Sequence, residues 1–244
     1  MSYLPPNPAI LPDGQEVKVH GSEAFPFAVY CGIIPTFIPA YPLHYHEEME
    51  LIYCETGSGS ITIDRATVTL HTGDVAVILP GQIHAIAAAG AGTFRYYNIL
   101  FRFSLLEPPD SETYRRFLAP LADGRMEVPA HIQKDSPLGR ELPVNVKMLI
   151  ENRKENTALR IKACLYGVMD ALCKAATPAR NPAGAEHRDT RLLRQTVQYV
   201  DRHYAEKITV AAISAQCGYS SSHFMKRFHD LTGTSFAQYL IHFR

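Results

Sequence analysis

Three histidines and a glutamate have the types and spacing to do chemistry. His44 and His46 are two residues apart, so on an extended strand both imidazoles leave the same face. Glu50 keeps that parity provided the strand is not bulged between them. His84 follows the Pro80-Gly81 pair on a later stretch, where it can come alongside the first two. Three imidazoles and a carboxylate converging in a barrel mouth form a site for a divalent transition metal. The same four side chains can instead receive an organic effector, with the imidazoles as donors and acceptors. A histidine in a barrel wall can also be a polar group satisfied by hydrogen bonds and nothing more. His20, His71 and His131 have no partners in spacing and read as surface or loop histidines.

A second set lies near the C-terminus. Phe224, Phe228 and Leu231 recur at i, i+4 and i+7, the apolar stripe of a helix. At 100° per residue, Ser222, Met225, Lys226 and His229 fall on the opposite, exposed face, and Arg227 on its flank. Such a face fits a major groove, with side chains that reach base edges and phosphates. Ser221, Ser222, Met225, Lys226, Arg227 and His229 are therefore the candidate DNA contacts, with Arg227 assigned to the backbone and Met225 able to touch a thymine methyl.

The elements that position these residues divide the chain in four. Residues 1–25, with prolines at 5, 6, 8 and 12, read as an irregular arm. From about 27 to 103, AVYCGII, MELIYC, SITID, TVTL, DVAVIL and TFRYYNILFRF are short strand-like runs broken by Gly, Pro and Asp. Without helical segments between them they predict an antiparallel sandwich or small barrel. The spacing then predicts a helix between Thr157 and Ala176, where Ile161, Cys164, Leu165, Val168, Met169 and Leu172 form one stripe. That stripe packs inside the domain or against a second subunit. Thr177-Pro178 ends the helix, and residues 177–187 read as a linker.

Residues 188–244 read as helical throughout. Asp189 or Thr190 is the first N-cap, and Leu193, Val197, Val200 and Tyr204 form the first stripe. Thr209 caps a short helix whose inward residues are Ile213 and Cys217. Gly218 stands where a helix-turn-helix needs positive φ, and Ser220 caps the next helix. Ser235 opens a last amphipathic segment with Phe236, Tyr239, Leu240 and Phe243 on one side.

Composition sets the frame for both sites. The 244 residues are 46% hydrophobic and 20% charged, ordinary values for a globular chain, so wholesale disorder is excluded. Lys plus Arg equals Asp plus Glu at 24 each, but residues 186–244 hold eight basic against five acidic residues. The tail is thus +3 on a body of −3, a basic module that suits a polyanion. The odd number of cysteines (31, 54, 164, 173 and 217), with no CxxC, fits a reduced, cytoplasmic protein. The start MSYLPPNPAILPDGQE lacks the features of a signal peptide, and no apolar run approaches the length of a membrane span.

HxHxxxE at His44, His46 and Glu50, followed by Gly57, resembles the first cupin motif. GDVAVILPGQIH, with Gly73, Pro80, Gly81 and His84, resembles the second, although Leu79 replaces a common proline. ITVAAISAQCGYS, the Phe224/Phe228 pair and TGTSFAQYL resemble the first helix-turn-helix of AraC-family transcription regulators. Ser214 departs from that family's usual alanine, at a small expected cost in packing. The resemblance implies an α+β chain of two domains: an N-terminal cupin β-barrel with flanking helices over 26–176, and an all-α helix-turn-helix over 188–244. It also implies an arm that folds over the ligand. The family's second helix-turn-helix is absent from this sequence, so weak or no specific DNA binding is expected of a single reading head.

The function implied is a ligand-responsive DNA-binding regulator, with double-stranded DNA, a small-molecule effector and a second copy of the chain as partners, and no membrane. No cofactor is required on this reading, although the cupin site can take a divalent transition metal. The rival is a metal-dependent cupin enzyme, of dioxygenase or isomerase type, with a non-functional tail. The exposed Lys226 face argues against it, and no nucleophile–base pair is visible in the spacing.

Overall fold

The computed structural model describes residues 18–64, 66–152, 158–179, 206–232 and 235–243, together with 10, 14–16, 192, 193, 195, 196, 199, 200 and 203. The caps at Asp189 or Thr190, most of the 177–187 linker, Val197 and Tyr204 lie outside them.

The N-terminal domain is a barrel-like pair of antiparallel sheets organised around one long strand. β1 (Phe27–Ile34) pairs with β7 (Phe94–Phe101), with Phe27 opposite Phe101 and Ile34 opposite Phe94. β3 (Met49–Ile63) joins β7 and β5 (Val75–Ile78) through its first half. Its second half pairs with β4 (Ala66–His71) and β6 (His84–Ala88), and β2 (Ala40–His44) adds to β6.

The runs MELIYC and SITID, expected as separate strands, are therefore one strand of 15 residues. Glu55, just after the first run, is a bulge, marked by a register shift between Cys54 and Thr56. Gly57 has φ 84°, and a Cβ there would fall 1.8 Å from the Thr93 carbonyl oxygen, so only glycine fits. The bulge also switches facing. Ile52 and Cys54 face the barrel interior before it, and Ile61 and Ile63 after it.

Two apolar cores follow from this alternation. Ile34, Ile52, Ile61, Phe94 and Tyr96 fill the barrel, with the last two rings stacked at 4.6 Å. The outer faces of β1, β3, β5 and β7 pack on helices through Val29, Leu51, Val77 and Ile99. Between β7 and those helices lies an irregular helical stretch that includes α1 (Ala119–Ala122). Thr177–Pro178 (β10) pairs with Met126–Glu127 (β8), which holds the start of the expected linker to the barrel domain.

The helices are α2 (Pro137–Glu151) and α3 (Ala158–Ala175). In α3 every residue of the predicted stripe is buried, and the stripe belongs to the intradomain core. α2 had no counterpart in the sequence reading. Ser136 caps it by accepting the Gly139 amide at 3.0 Å, and Pro137 opens the first turn, where its missing N–H is no loss. β9 (His131–Ile132) reaches β5, and Asp74 ties the two together by accepting His131 Nε2 and the Lys134 amide at 3.0 and 2.9 Å.

The C-terminal region is helical: the described residues between 192 and 203, then α4 (Val210–Gln216), α5 (Ser221–Thr232) and α6 (Phe236–Phe243). Thr209 caps α4 by accepting the Ala212 amide, Gly218 has φ 74° in the turn, and Ser220 caps α5. Phe224, Phe228 and Phe236 are buried in mutual edge-to-face and stacked contacts. Ser214 is buried and satisfied, its hydroxyl lying 3.1 Å from both the Ala211 carbonyl and the Ser221 hydroxyl. The serine therefore adds a hydrogen bond between the two helices rather than only filling an alanine's place. Among the described residues, no helix is long and apolar enough to cross a membrane.

Candidate metal centre and recognition helix

β2 ends at His44, the chain bends through 45–48, and Glu50 lies on β3. The four ligand-type residues thus come from three strands and a bend rather than one strand of constant parity. His84 opens β6 directly opposite His44. The turn before it is pinned. The Gly81 amide donates to the His46 carbonyl at 2.8 Å, and Asp64 accepts from the Ile83 amide and from the Gln82 side chain.

All four residues are buried, and one ligand atom from each lies within 4.8 Å of the others. The Nδ1–H of His44 donates to the Pro42 carbonyl at 2.9 Å, that of His46 to Glu48 at 3.0 Å, and that of His84 to Gln82 at 3.0 Å. A carbonyl oxygen only accepts, so each ring is fixed with its proton on Nδ1. The three Nε2 atoms are left to meet either a proton or a metal ion, the arrangement in which histidines ligate metals.

Nε2 of His46 and Nε2 of His84 lie 3.1 and 2.9 Å from the same carboxylate oxygen, Oε2 of Glu50. The His84 contact is short but poorly aligned for a hydrogen bond. Lone pairs and a carboxylate repel at such distances unless a cation lies between them, either protons or a metal ion.

The electrostatics reflect this crowding. Burial, reinforced by His84 and His46, pushes His44 down to about 3. Burial pushes the Glu50 carboxyl up, but the contacts with His46 and His84 outweigh it and hold it well below the usual range. Burial lowers His84, and Glu50 more than reverses this.

Two site residues escaped the sequence reading. His20, expected on the surface, is 2% exposed, with its ring centroid 5.8 Å from that of His46. Glu16, inside the supposedly irregular arm, is buried beside it. The arm enters the site because its backbone pairs with Tyr45. Neither residue carries a motif or a period, so only the long-range contact identifies them. His71 is exposed and His131 partly buried, away from the four. On the barrel face of β7, Tyr96 Oη and Asn98 Oδ1 are buried atoms that, among the described residues, have no hydrogen-bond partner.

On α5, Ser222, Met225, Lys226 and His229 are exposed as the helical wheel requires. Arg227 is half-buried on the flank, and the Ser221 hydroxyl faces Ser214. The supporting cluster joins Leu192, Leu193, Val200, Ile213 and Phe224 to Tyr45 and Ile83 of the barrel domain, so the two parts touch.

Comparison with known proteins agrees with both halves. Residues 30–117 match the AraC-like ligand binding domain, and residues 200–240 match the bacterial regulatory helix-turn-helix proteins of the AraC family. No curated protein matches the sequence. Among solved structures, the AraC-like transcriptional activator CuxR aligns at 11% identity and TM-score 0.38, over 82% of this chain and 66% of its own. ToxT from Vibrio cholerae aligns at 9% identity and TM-score 0.43, over 88% of this chain and 98% of its own. A cupin protein from Bacteroides fragilis aligns at 27% identity and TM-score 0.30, over 34% of this chain and 70% of its own.

A cupin-like domain that can take a ligand, joined to a helix-turn-helix, defines a ligand-responsive DNA-binding transcription regulator. The chain belongs to the AraC family.

Proposed function

We propose that the effector site of this regulator is the cluster of His44, His46, Glu50 and His84, and that it holds a divalent first-row transition metal. The observation that carries this reading is the orientation of all three imidazoles, each with Nδ1–H engaged by a backbone carbonyl, so that their Nε2 atoms and a Glu50 oxygen converge within 4.8 Å. Nitrogen and oxygen donors of this kind suit zinc, iron, manganese or nickel. The residues themselves bind and orient the ion. The backbone carbonyls at 42, 48 and 82 set the ring planes, and burial excludes bulk water.

Occupancy reaches DNA through alternate residues of the same segment. His44 and His46 belong to the site, while Leu43 and Tyr45 join the cluster under the helix-turn-helix, as Ile83 does beside His84. An ion that draws the imidazoles together repositions the surface on which Leu192, Leu193 and Ile213 rest. The exposed Ser222, Met225, Lys226 and His229 then meet the major groove, with Arg227 on the backbone. A homodimer presents two such faces to the DNA.

A second reading has its own support. The unpartnered Tyr96 hydroxyl and Asn98 amide oxygen line the barrel interior, which suits a small polar organic effector that accepts from the one and donates to the other.

The test measures DNA affinity of the full chain on operator fragments selected from random sequence, with chelator and with each metal in turn. A metal-dependent change in Kd that His46→Ala abolishes supports the metal reading. A change produced only by an organic molecule, and intact in chelator, supports the second. Substrate turnover that needs His46 but not residues 188–244 would favour an enzyme.

A further inference from the structure

Glu16 brings a second carboxylate to the metal cluster. It is 6% exposed, although it lies in an arm with no apolar period. Its Oε1 accepts the Tyr41 hydroxyl at 2.6 Å. Its Oε2 lies 3.2 Å from Nε2 of His20 and 3.9 Å from Nε2 of His44. Glu50 contacts His46 and His84, so Glu16 reaches the remaining imidazole. The backbone holds it there. The Tyr45 amide donates to the Gly14 carbonyl and the Glu16 amide donates to the Tyr45 carbonyl, both at 2.9 Å.

Charge makes the same point. Three neutral imidazoles and Glu50 leave a divalent ion with one uncompensated positive charge in a pocket shut off from water, an expensive arrangement. A second carboxylate brings the site to neutrality. We propose that Glu16 is a fifth ligand of the ion held by His44, His46, Glu50 and His84, so that metal binding fastens the N-terminal arm to the barrel. This rests on the metal reading above and adds a ligand from outside the cupin motifs.

The experiment titrates the full chain with Zn²⁺ and with Mn²⁺ alone, by calorimetry against a competing chelator, for the wild type, Glu16→Gln and Tyr41→Phe. Glutamine keeps the shape and the acceptor for Tyr41 but removes the charge. Tyr41→Phe removes an anchor of the carboxylate but leaves the charge. Expected is one ion per wild-type chain, a loss of affinity within about 10–100-fold in Tyr41→Phe, the cost of removing a partner of a ligand, and a larger loss in Glu16→Gln. Tryptic cleavage after Lys18 should slow on metal addition in the wild type and not in Glu16→Gln. Equal affinity and equal protection in wild type and Glu16→Gln would overturn the ligand role. Equal losses in both variants would also overturn it, reducing Glu16 to an anchor of the arm. No ion bound by the wild type would instead remove the metal reading itself.

Discussion

His44 and Tyr45 are adjacent in the chain and face opposite duties. The His44 imidazole is locked into the ligand cluster by its bond to the Pro42 carbonyl, while Tyr45 is buried in the apolar cluster shared with Leu192, Leu193 and Phe224. Ile83 and His84 repeat the arrangement on the facing strand. A displacement of either imidazole therefore moves a residue that supports the DNA-binding helices. Ile83→Ala should keep DNA binding, because α5 itself is untouched, but should shrink the metal-induced change in Kd. Titrating labelled DNA with metal-loaded and metal-free protein checks this, and an undiminished metal response in the variant would contradict it.

The metal-free site should carry a pH signature. His44 titrates at about 3 in the fold against an ordinary 6.5, so between those values the unfolded chain binds a proton that the native site refuses. Stability is therefore present above about pH 6.5 and falls as the pH drops through that window. His84 runs the other way. Its folded value is raised, so its contribution is full below 6.5 and is lost as the pH rises through the folded value. Urea melts in chelator should show a maximum near neutrality, and His44→Ala should flatten its acid side. A metal-free protein equally stable at pH 5 and pH 7, with His44 intact, would contradict the assignment.

Lys226 is exposed on α5 and its charge is suited to a phosphate. Lys226→Ala should weaken binding about equally across DNA sequences and reduce the salt-dependence slope by about one. Fluorescence anisotropy over a salt series reads both. A change confined to one base position would instead place Lys226 at a base edge.

How much was legible in the sequence depended on how local the determinant was. The α3 stripe, the Thr209 cap and Gly218 act within a few residues of themselves, and each stands where the spacing puts it. The motif residues His44, His46, Glu50 and His84 also come together, although from three strands and a bend rather than by strand parity. Glu16 and His20 were invisible because their burial depends on pairing with Tyr45, far along the chain, in a segment rich in proline. α2 was hidden by Pro137 and Pro143, one harmless in a first turn and the other tolerated within the helix. The bulge at Glu55 read as a break between two strands because Gly57 close by takes the positive φ that a turn also uses.

Elemental analysis of protein purified without chelator or a histidine tag, beside His46→Ala, tests whether His44, His46, Glu50 and His84 hold a metal. Near-stoichiometric metal in the wild type and its loss in the variant is the predicted result. A metal-free wild type that takes up no ion on dialysis against zinc, manganese, iron or nickel would contradict it.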